Sequence, residues 1–362
     1  MSKLRDPWLD NAKFWLVALV VVGHSLLIAP PGEFRGHVYD FIYQFHMPAF
    51  VLVSGYLSRS FAWTRRHLTA LVTTMVVPYL VFEAAMALWR NHLGLVKSMD
   101  SLEPLWLQPH WPMWFLAVLL MWRLATPVLK AHWMWVPASV AISLVGGSWE
   151  VDVLDVSRFL GLMPFFVIGL HLRPVALTHL RRRWTPLLGL AAMGWLWTLA
   201  ATTDDRWDTH QWFYYRSSYE TLGVSFTHGV EMRFQVLLVG LLGTFAFLSL
   251  VPRTRSALTA MGAGSMVIYL FHGFVVQWAQ AHAWRERLPE GELAGVWTVI
   301  VGALLLTLLL GWSPVRERLA LLADPVSGVK RVRAAVATRA VARAATVPPA
   351  PEAAHSEGPT PD

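Results

Sequence analysis

The sequence predicts an all-α, polytopic integral membrane protein of about ten transmembrane helices with both termini in the cytoplasm. Three observations predict it. Hydrophobic residues make up 55% of the 362, charged residues only 15%, and the mean hydropathy is +0.45, whereas soluble domains carry about 25% charged residues. Apolar runs recur at lengths of about 16 to 22 residues, enough for a bilayer crossing. Basic and acidic residues alternate between successive loops, as the positive-inside rule demands.

The spans fall at about 14–30, 41–58, 68–89, 112–129, 134–148, 158–173, 185–203, 231–251, 262–282 and 295–312. The first follows Lys3 and Arg5; it carries His24 internally and lacks a clear small-x-small site, so it reads as a retained helix rather than a signal peptide. The second contains His46-Met47-Pro48, with a proline kink expected there, and ends at Arg59. Arg65 and Arg66 precede the third. The fourth follows Pro109 and Pro112, which favour an extended approach, and contains Arg123 before Lys130. The fifth and sixth are short, with an acidic turn around Glu150, Asp152 and Asp155 between them, and lead to Arg173. Arg181, Arg182 and Arg183 precede the seventh; Arg253 and Arg255 follow the eighth. Glu286, Glu290 and Glu292 separate the ninth from the tenth, and basic residues resume at Arg316.

The alternation accounts for the net charge of +7 as topology, with no nucleic-acid partner, and the localisation expected is a multi-pass protein of the cell membrane. Cysteine is absent, which excludes disulfides, thiolate ligands and a cysteine nucleophile. One membrane domain is expected over 1–320. From 325 to 362 the chain is rich in Ala, Arg, Val and Pro and reads as a disordered cytoplasmic tail whose basic part suits anionic lipid. The long outer segment at about 203–230 carries Asp204, Asp205 and Asp208 with Trp212, Phe213, Tyr214, Tyr215 and Tyr219. Rings and carboxylates together suit a sugar, and an interfacial aromatic belt explains the rings equally well.

Ionisable groups inside a span need a partner or a water-filled cavity, so they mark candidate function. Lys13 and His24 are three helical turns apart and share a face, with Asp10 on nearly the same stripe. His24 lies about 15 Å along the helix from Phe14, beyond the midplane on the outer side. His46 lies near the outer end of the second span; Ser265, Tyr269 and His272 share a face of the ninth, where a hydrogen-bonded chain would orient the imidazole. Histidine suits proton transfer near neutral pH, although a lone intramembrane His is as readily a hydrogen-bonded core residue. No His-x-x-x-His or Glu-x-x-His spacing occurs inside a span, so no metal site is expected. Lys13, Arg65 and Arg66 offer inner-side cations for a phosphate-rich ligand. Arg158 and Arg233 sit on the outer side, where topology asks for no positive charge, and frame an acceptor pocket or snorkel to the interface.

Asp10-Asn11-Ala12-Lys13 with Val21-Val22-Gly23-His24 resembles the opening of membrane-bound acyltransferase-3 proteins, most closely the fucose 4-O-acetylase-like branch. His46-Met47-Pro48-Ala49-Phe50, Ser54-Gly55-Tyr56-Leu57, Arg65-Arg66, Pro78-Tyr79, Trp114-Phe115-Leu116, Phe165-Phe166-x-x-Gly169 and Ile268-Tyr269-Leu270-x-His272 continue the likeness in order over about 10–280. Many relatives have Arg where this chain has Lys13; a point charge then replaces a bidentate fork. The resemblance implies transfer of an acyl group, usually acetyl from acetyl-CoA as co-substrate, to a hydroxyl of a glycan, a lipid-linked glycan or a small molecule, with no bound cofactor. On that reading His24 is the general base or a transient acyl carrier, and Asp10 and Lys13 order the donor with Arg65 and Arg66. His46, Tyr269, His272, Arg158 and Trp114 then orient the acceptor or the base. The rival is a proton-coupled transporter or flippase, which buried ionisable groups and proline-broken helices would also suit, although no internal repeat is visible. A scaffold without chemistry leaves the Asp10-Lys13-His24 stripe unexplained. Oligomeric state is not legible.

Overall fold

The computed structural model describes residues 6–95, 106–324 and 326, and within them every regular element is a helix. The tail expected over 325–362 falls outside the described residues apart from 326, as do Lys3 and Arg5.

Helix α1 (Pro7–Ser25) starts well before its apolar run. Asp6 caps it, accepting from Trp8 N at 3.1 Å, and Pro7 takes the first turn, where a missing N–H costs nothing. Asp10 and Lys13 therefore lie inside the helix. Helices α2 (Glu33–Tyr43) and α3 (His46–Ser58) divide the expected second span at Gln44 and Phe45, so Pro48 opens a helix instead of kinking one. Helix α4 (Arg65–Leu71) passes through a π turn, Val72–Val76, into α5 (Val77–His92).

Then come α6 (Trp114–Leu129), α7 (Trp135–Gly146), α8 (Val156–Gly161) and α9 (Met163–His171). They are followed by α10 (Pro174–Leu180), α11 (Thr185–Ala200), α12 (Thr203–Trp207) and α13 (Phe226–Leu250). The chain closes with α14 (Ala257–Ala263), α15 (Ser265–Ala281), α16 (Glu292–Gly311) and α17 (Ser313–Ala323).

Among the described residues three helices are long and apolar enough to cross a membrane: the continuous Arg65–His92, α13 and α16. Counting two bent pairs gives five, namely Val153–Gly161 with α9, bent by 60°, and α14 with α15, bent by 78°. Helices α6, α7 and α11 are apolar but shorter. Apolar runs in the sequence outnumber long helices because several runs are cut by breaks and bends. Trp297, Val301, Leu305 and Leu309 form an exposed apolar stripe along α16, and Leu187, Leu188, Leu190 and Trp195 expose a second surface on α11. Such faces suit a lipid environment.

Helix α1 is buried on nearly all sides, with α2, α3, α14, α15 and α16 around it. Its contact with α14 is backbone to backbone: a Cβ at Gly262 would lie 1.8 Å from Asp10 O. Asn11 fastens the same level, donating to Pro252 O at 2.8 Å and Thr254 O at 2.9 Å while accepting from Thr259 Oγ1 at 2.7 Å. Helices α3 and α9 also meet through glycine. A Cβ at Gly55 would fall 2.1 Å from Phe166 O, and one at Gly169 2.1 Å from Leu52 O, the close approach that small residues permit between membrane helices.

Candidate active site

His24, on the last turn of α1, is buried against His272 of α15: its Nδ1 lies 2.8 Å from His272 Nε2. The partners fix both tautomers. His272 Nδ1 faces the carbonyls of Tyr269 at 2.7 Å and Ile268 at 3.2 Å, so it carries the proton and leaves Nε2 as acceptor. His24 Nδ1–H must then be the donor, and its Nε2 keeps a lone pair. No protein group bonds that nitrogen among the described residues, and His24 lines a cavity of about 250 Å³. Trp111 packs on the His24 ring at 4.3 Å.

The cavity's other walls are largely aromatic, from Tyr39, Tyr43, Phe50, Trp114, Phe115 and Tyr269. His46 lines it too. Its Nδ1 donates to Ile42 O at 2.9 Å, so its Nε2 is likewise unprotonated. Tyr39 and Tyr43 stack at 3.9 Å, and the Tyr39 hydroxyl shares a 2.6 Å hydrogen bond with Tyr214.

Two further cavities adjoin this one. On the Lys13 side a cavity of about 500 Å³ is lined by Asp6, Asp10, Lys13, Ser54, Arg123 and Ser265, and it shares Phe50, Phe115 and Tyr269 with the central one. Three rings therefore form the partition. On the other side a vestibule of about 290 Å³ shares Trp111, Trp114 and Arg158 with the central cavity and adds Arg90, His110, Asp152, Asp155 and Arg216. The central cavity, which holds His24, shares lining residues with both of the others. From Asp10 to His24 the helix rises about 21 Å.

Lys13 pairs with Asp10 at 2.7 Å in the first cavity, so the stripe read from spacing is divided between two rooms. Arg65 and Arg66 are exposed at the start of α4 and line none of the three cavities. Arg158 stands in the partition toward the vestibule, paired with Asp155, donating to Tyr214 O at 3.1 Å and lying 4.5 Å above the Trp114 ring. Tyr269 does not pass a proton to His272; its hydroxyl donates to Pro112 O at 2.7 Å. His272 sits behind His24 instead of lining the cavity. Phe213 and Tyr214 of the long segment reach the central cavity, while Trp212, Tyr215 and Tyr219 are buried in packing. Arg233, fully buried, lies 5.5 and 5.7 Å from the Tyr215 and Tyr219 rings and donates to Ser217 O, so aromatic faces rather than Glu231 receive its charge.

Three features had no signal strong enough in the sequence. Glu83 has no exposure and accepts from both His110 N at 2.7 Å and His110 Nδ1 at 2.5 Å. Arg123 faces the Lys13-side cavity, though in the sequence it counted only as a topological charge. Tyr39 and Tyr43 bring hydroxyls to the central cavity from a stretch that read as loop and span start. A charged residue well inside an apolar run was the available clue for Glu83 and Arg123. Among the described residues no three His, Asp or Glu side chains are grouped to hold a metal ion.

No curated protein and no solved structure matches the chain significantly. The sequence model of a family described as an acyltransferase domain matches residues 6–316, a stretch that contains all three cavities and both histidines of the central pair. The apolar helices and this match make the protein a multi-pass membrane protein of acyltransferase type. The chain belongs to the acyltransferase-3 family.

Proposed function

We propose that the protein is a membrane O-acyltransferase of the fucose 4-O-acetylase-like branch, moving an acyl group from cytoplasmic acyl-CoA to a hydroxyl of a glycan or similar acceptor. The charge alternation supports ten crossings of the cell membrane with both termini inside, which sets the Lys13 side toward the cytoplasm and the vestibule outward. The observation that carries the reading is the free Nε2 of His24 in a cavity bordered on one side by the room that holds Asp10, Lys13 and Arg123 and on the other by the vestibule.

A thioester enters from the Lys13 side and passes between Phe50, Phe115 and Tyr269. The acceptor hydroxyl enters past Trp111, Trp114 and Arg158. His24 Nε2 takes the hydroxyl proton as the oxygen attacks the thioester carbonyl carbon; the C–S bond then breaks and the thiolate leaves, recovering a proton. His272 steadies the imidazolium by accepting from His24 Nδ1–H, and its own Nδ1–H is anchored on Tyr269 O. Tyr39 and Tyr43 offer hydroxyls to the acceptor, while His46 and Trp114 shape its pocket. A central cavity of about 250 Å³, shared by acyl group and acceptor, favours acetyl over longer chains.

The test uses membranes bearing wild type or His24→Ala, radiolabelled acetyl-CoA and a panel of hydroxylated acceptors. Labelled product from wild type and its loss in the variant at equal protein level supports the reading. Full transfer by the variant removes His24 from catalysis; no transfer by wild type on any acceptor returns the carrier reading.

A further inference from the structure

Arg123 is the one cation of the Lys13-side cavity without an anion of its own among the described residues. Lys13 pairs with Asp10, and Asp6 with Arg181. Arg59 is committed to the carbonyls of Tyr56 and Leu172, and Lys130 to those of Arg59 and Phe61. Arg123 has only a 3.6 Å contact from Nη1 to Met75 Sδ, and its Nε is buried without a partner. A thioether is a weak acceptor, and a guanidinium inside an apolar helix is costly unless something answers its charge.

The guanidinium stands at a junction. Arg123 and Leu57 line both the Lys13-side cavity and a side lobe of about 170 Å³, bounded also by Ser58, Ser60, His67 and Thr74. Two side chains of this lobe are donors, Arg123 and His67. His67 Nδ1 accepts from Ala62 N at 3.1 Å, so the ring proton sits on Nε2. Ser58 and Thr74 spend their protons on the carbonyls of Ser54 and Ala70 and so present lone pairs, while no carboxylate lines the lobe. A guanidinium, an imidazole N–H and no competing anion form a receptor for an oxyanion. The lobe branches from the path that leads past Phe50, Phe115 and Tyr269, so an anion held there leaves that path open.

We infer that the Arg123–His67 lobe binds a phosphate group of the nucleotide acyl donor, which assigns donor recognition to Arg123 rather than to the exposed Arg65 and Arg66. The inference rests on acyl-CoA being the donor. Full-length protein in detergent is titrated with CoA, dephospho-CoA, which lacks the 3′-phosphate, and pantetheine, which lacks every phosphate. Arg123→Gln is expected to weaken CoA binding about 10- to 100-fold, the range of a charge-assisted hydrogen bond, with pantetheine changed less than about two-fold. Arg123→Lys keeps the charge and is expected to stay within about five-fold of wild type for CoA, and His67→Ala to lose a few-fold for CoA only. If Arg123→Gln erases the preference for CoA over dephospho-CoA, the 3′-phosphate is the group bound; if both weaken alike, it is the diphosphate. Unchanged CoA affinity in Arg123→Gln, or an equal loss for pantetheine, overturns the inference while leaving the donor reading intact. Wild-type protein that binds none of the three overturns the donor reading itself.

Discussion

Trp111 separates two histidine pairs that are built alike and do different work. On one side His24 leans on His272, a neutral acceptor, and presents Nε2 to an apolar cavity. On the other, His110 bonds a fully buried carboxylate, and Glu83 Oε1 receives both its ring and its backbone N–H. The first pair fixes a tautomer without bringing an ion into the cavity, which suits a base that must be neutral before it acts. The second uses one carboxylate oxygen, accepting twice, to hold a loop: with the Tyr269 bond to Pro112 O, it pins the segment that presses Trp111 onto His24. On the proposed reading the first pair serves proton transfer, while the second holds position.

The comparison breaks most decisively at His24. His24→Ala is expected to lower acyl transfer about 10³-fold with unchanged folding, since general-base catalysis contributes about 10²- to 10⁴-fold; a loss confined to KM would assign His24 to binding alone. Glu83→Ala should act on the fold instead. It leaves the His110 backbone and ring N–H groups without their acceptor, at a cost of about 1 to 3 kcal/mol, so thermal unfolding in detergent should shift down by a few degrees. Retained stability with lost activity would move Glu83 from the anchoring to the chemical side of the comparison.

His272→Ala sharpens the contrast, because it removes only the acceptor that orients His24. A fall in kcat of about 10- to 50-fold is expected, about 2 kcal/mol, with partial recovery in His272→Gln, whose amide oxygen also accepts. The smallest effect concerns His210, outside the spans beside Tyr39 and Tyr214. Burial lowers its pKa below the usual 6.5, opposed by Asp204 and reinforced by Arg35. Its folded form thus prefers the neutral ring, so stability is full above pH 6.5 and falls as pH drops from there toward the lowered value. His210→Gln should flatten that decline in a melting series from pH 7.5 to about 5.

The place of His24 inside the first helix, three turns beyond Lys13, was legible because helical periodicity is a local property of the chain. Its partner was not, for 248 residues separate His24 from His272 and no spacing encodes that contact. The face shared by Tyr269 and His272 was legible; the bonds were not, since Tyr269 turns to Pro112 and His272 to backbone carbonyls. Helical content followed from hydropathy, but the breaks at Phe45, Leu162 and Gly264 come from how helices pack, which a run of apolar residues does not record. Arg123 stayed hidden behind the positive-inside rule: a basic residue on that side of the chain already had an explanation.

The reciprocal glycine crossing of α3 and α9 bears on how anything traverses this protein. Backbones in direct contact on both sides resist rolling and sliding, because either motion drives a carbonyl into the facing chain. Phe50 belongs to α3, so one post of the ring partition is mounted on a rigid frame. On the proposed reading, passage would depend on side chains rotating, chiefly Phe115, since Tyr269 is held by its bond to Pro112 O, rather than on halves of the protein rocking past each other. On that reading the protein would be a fixed conduit with a turnstile, and ring width would set the traffic it admits.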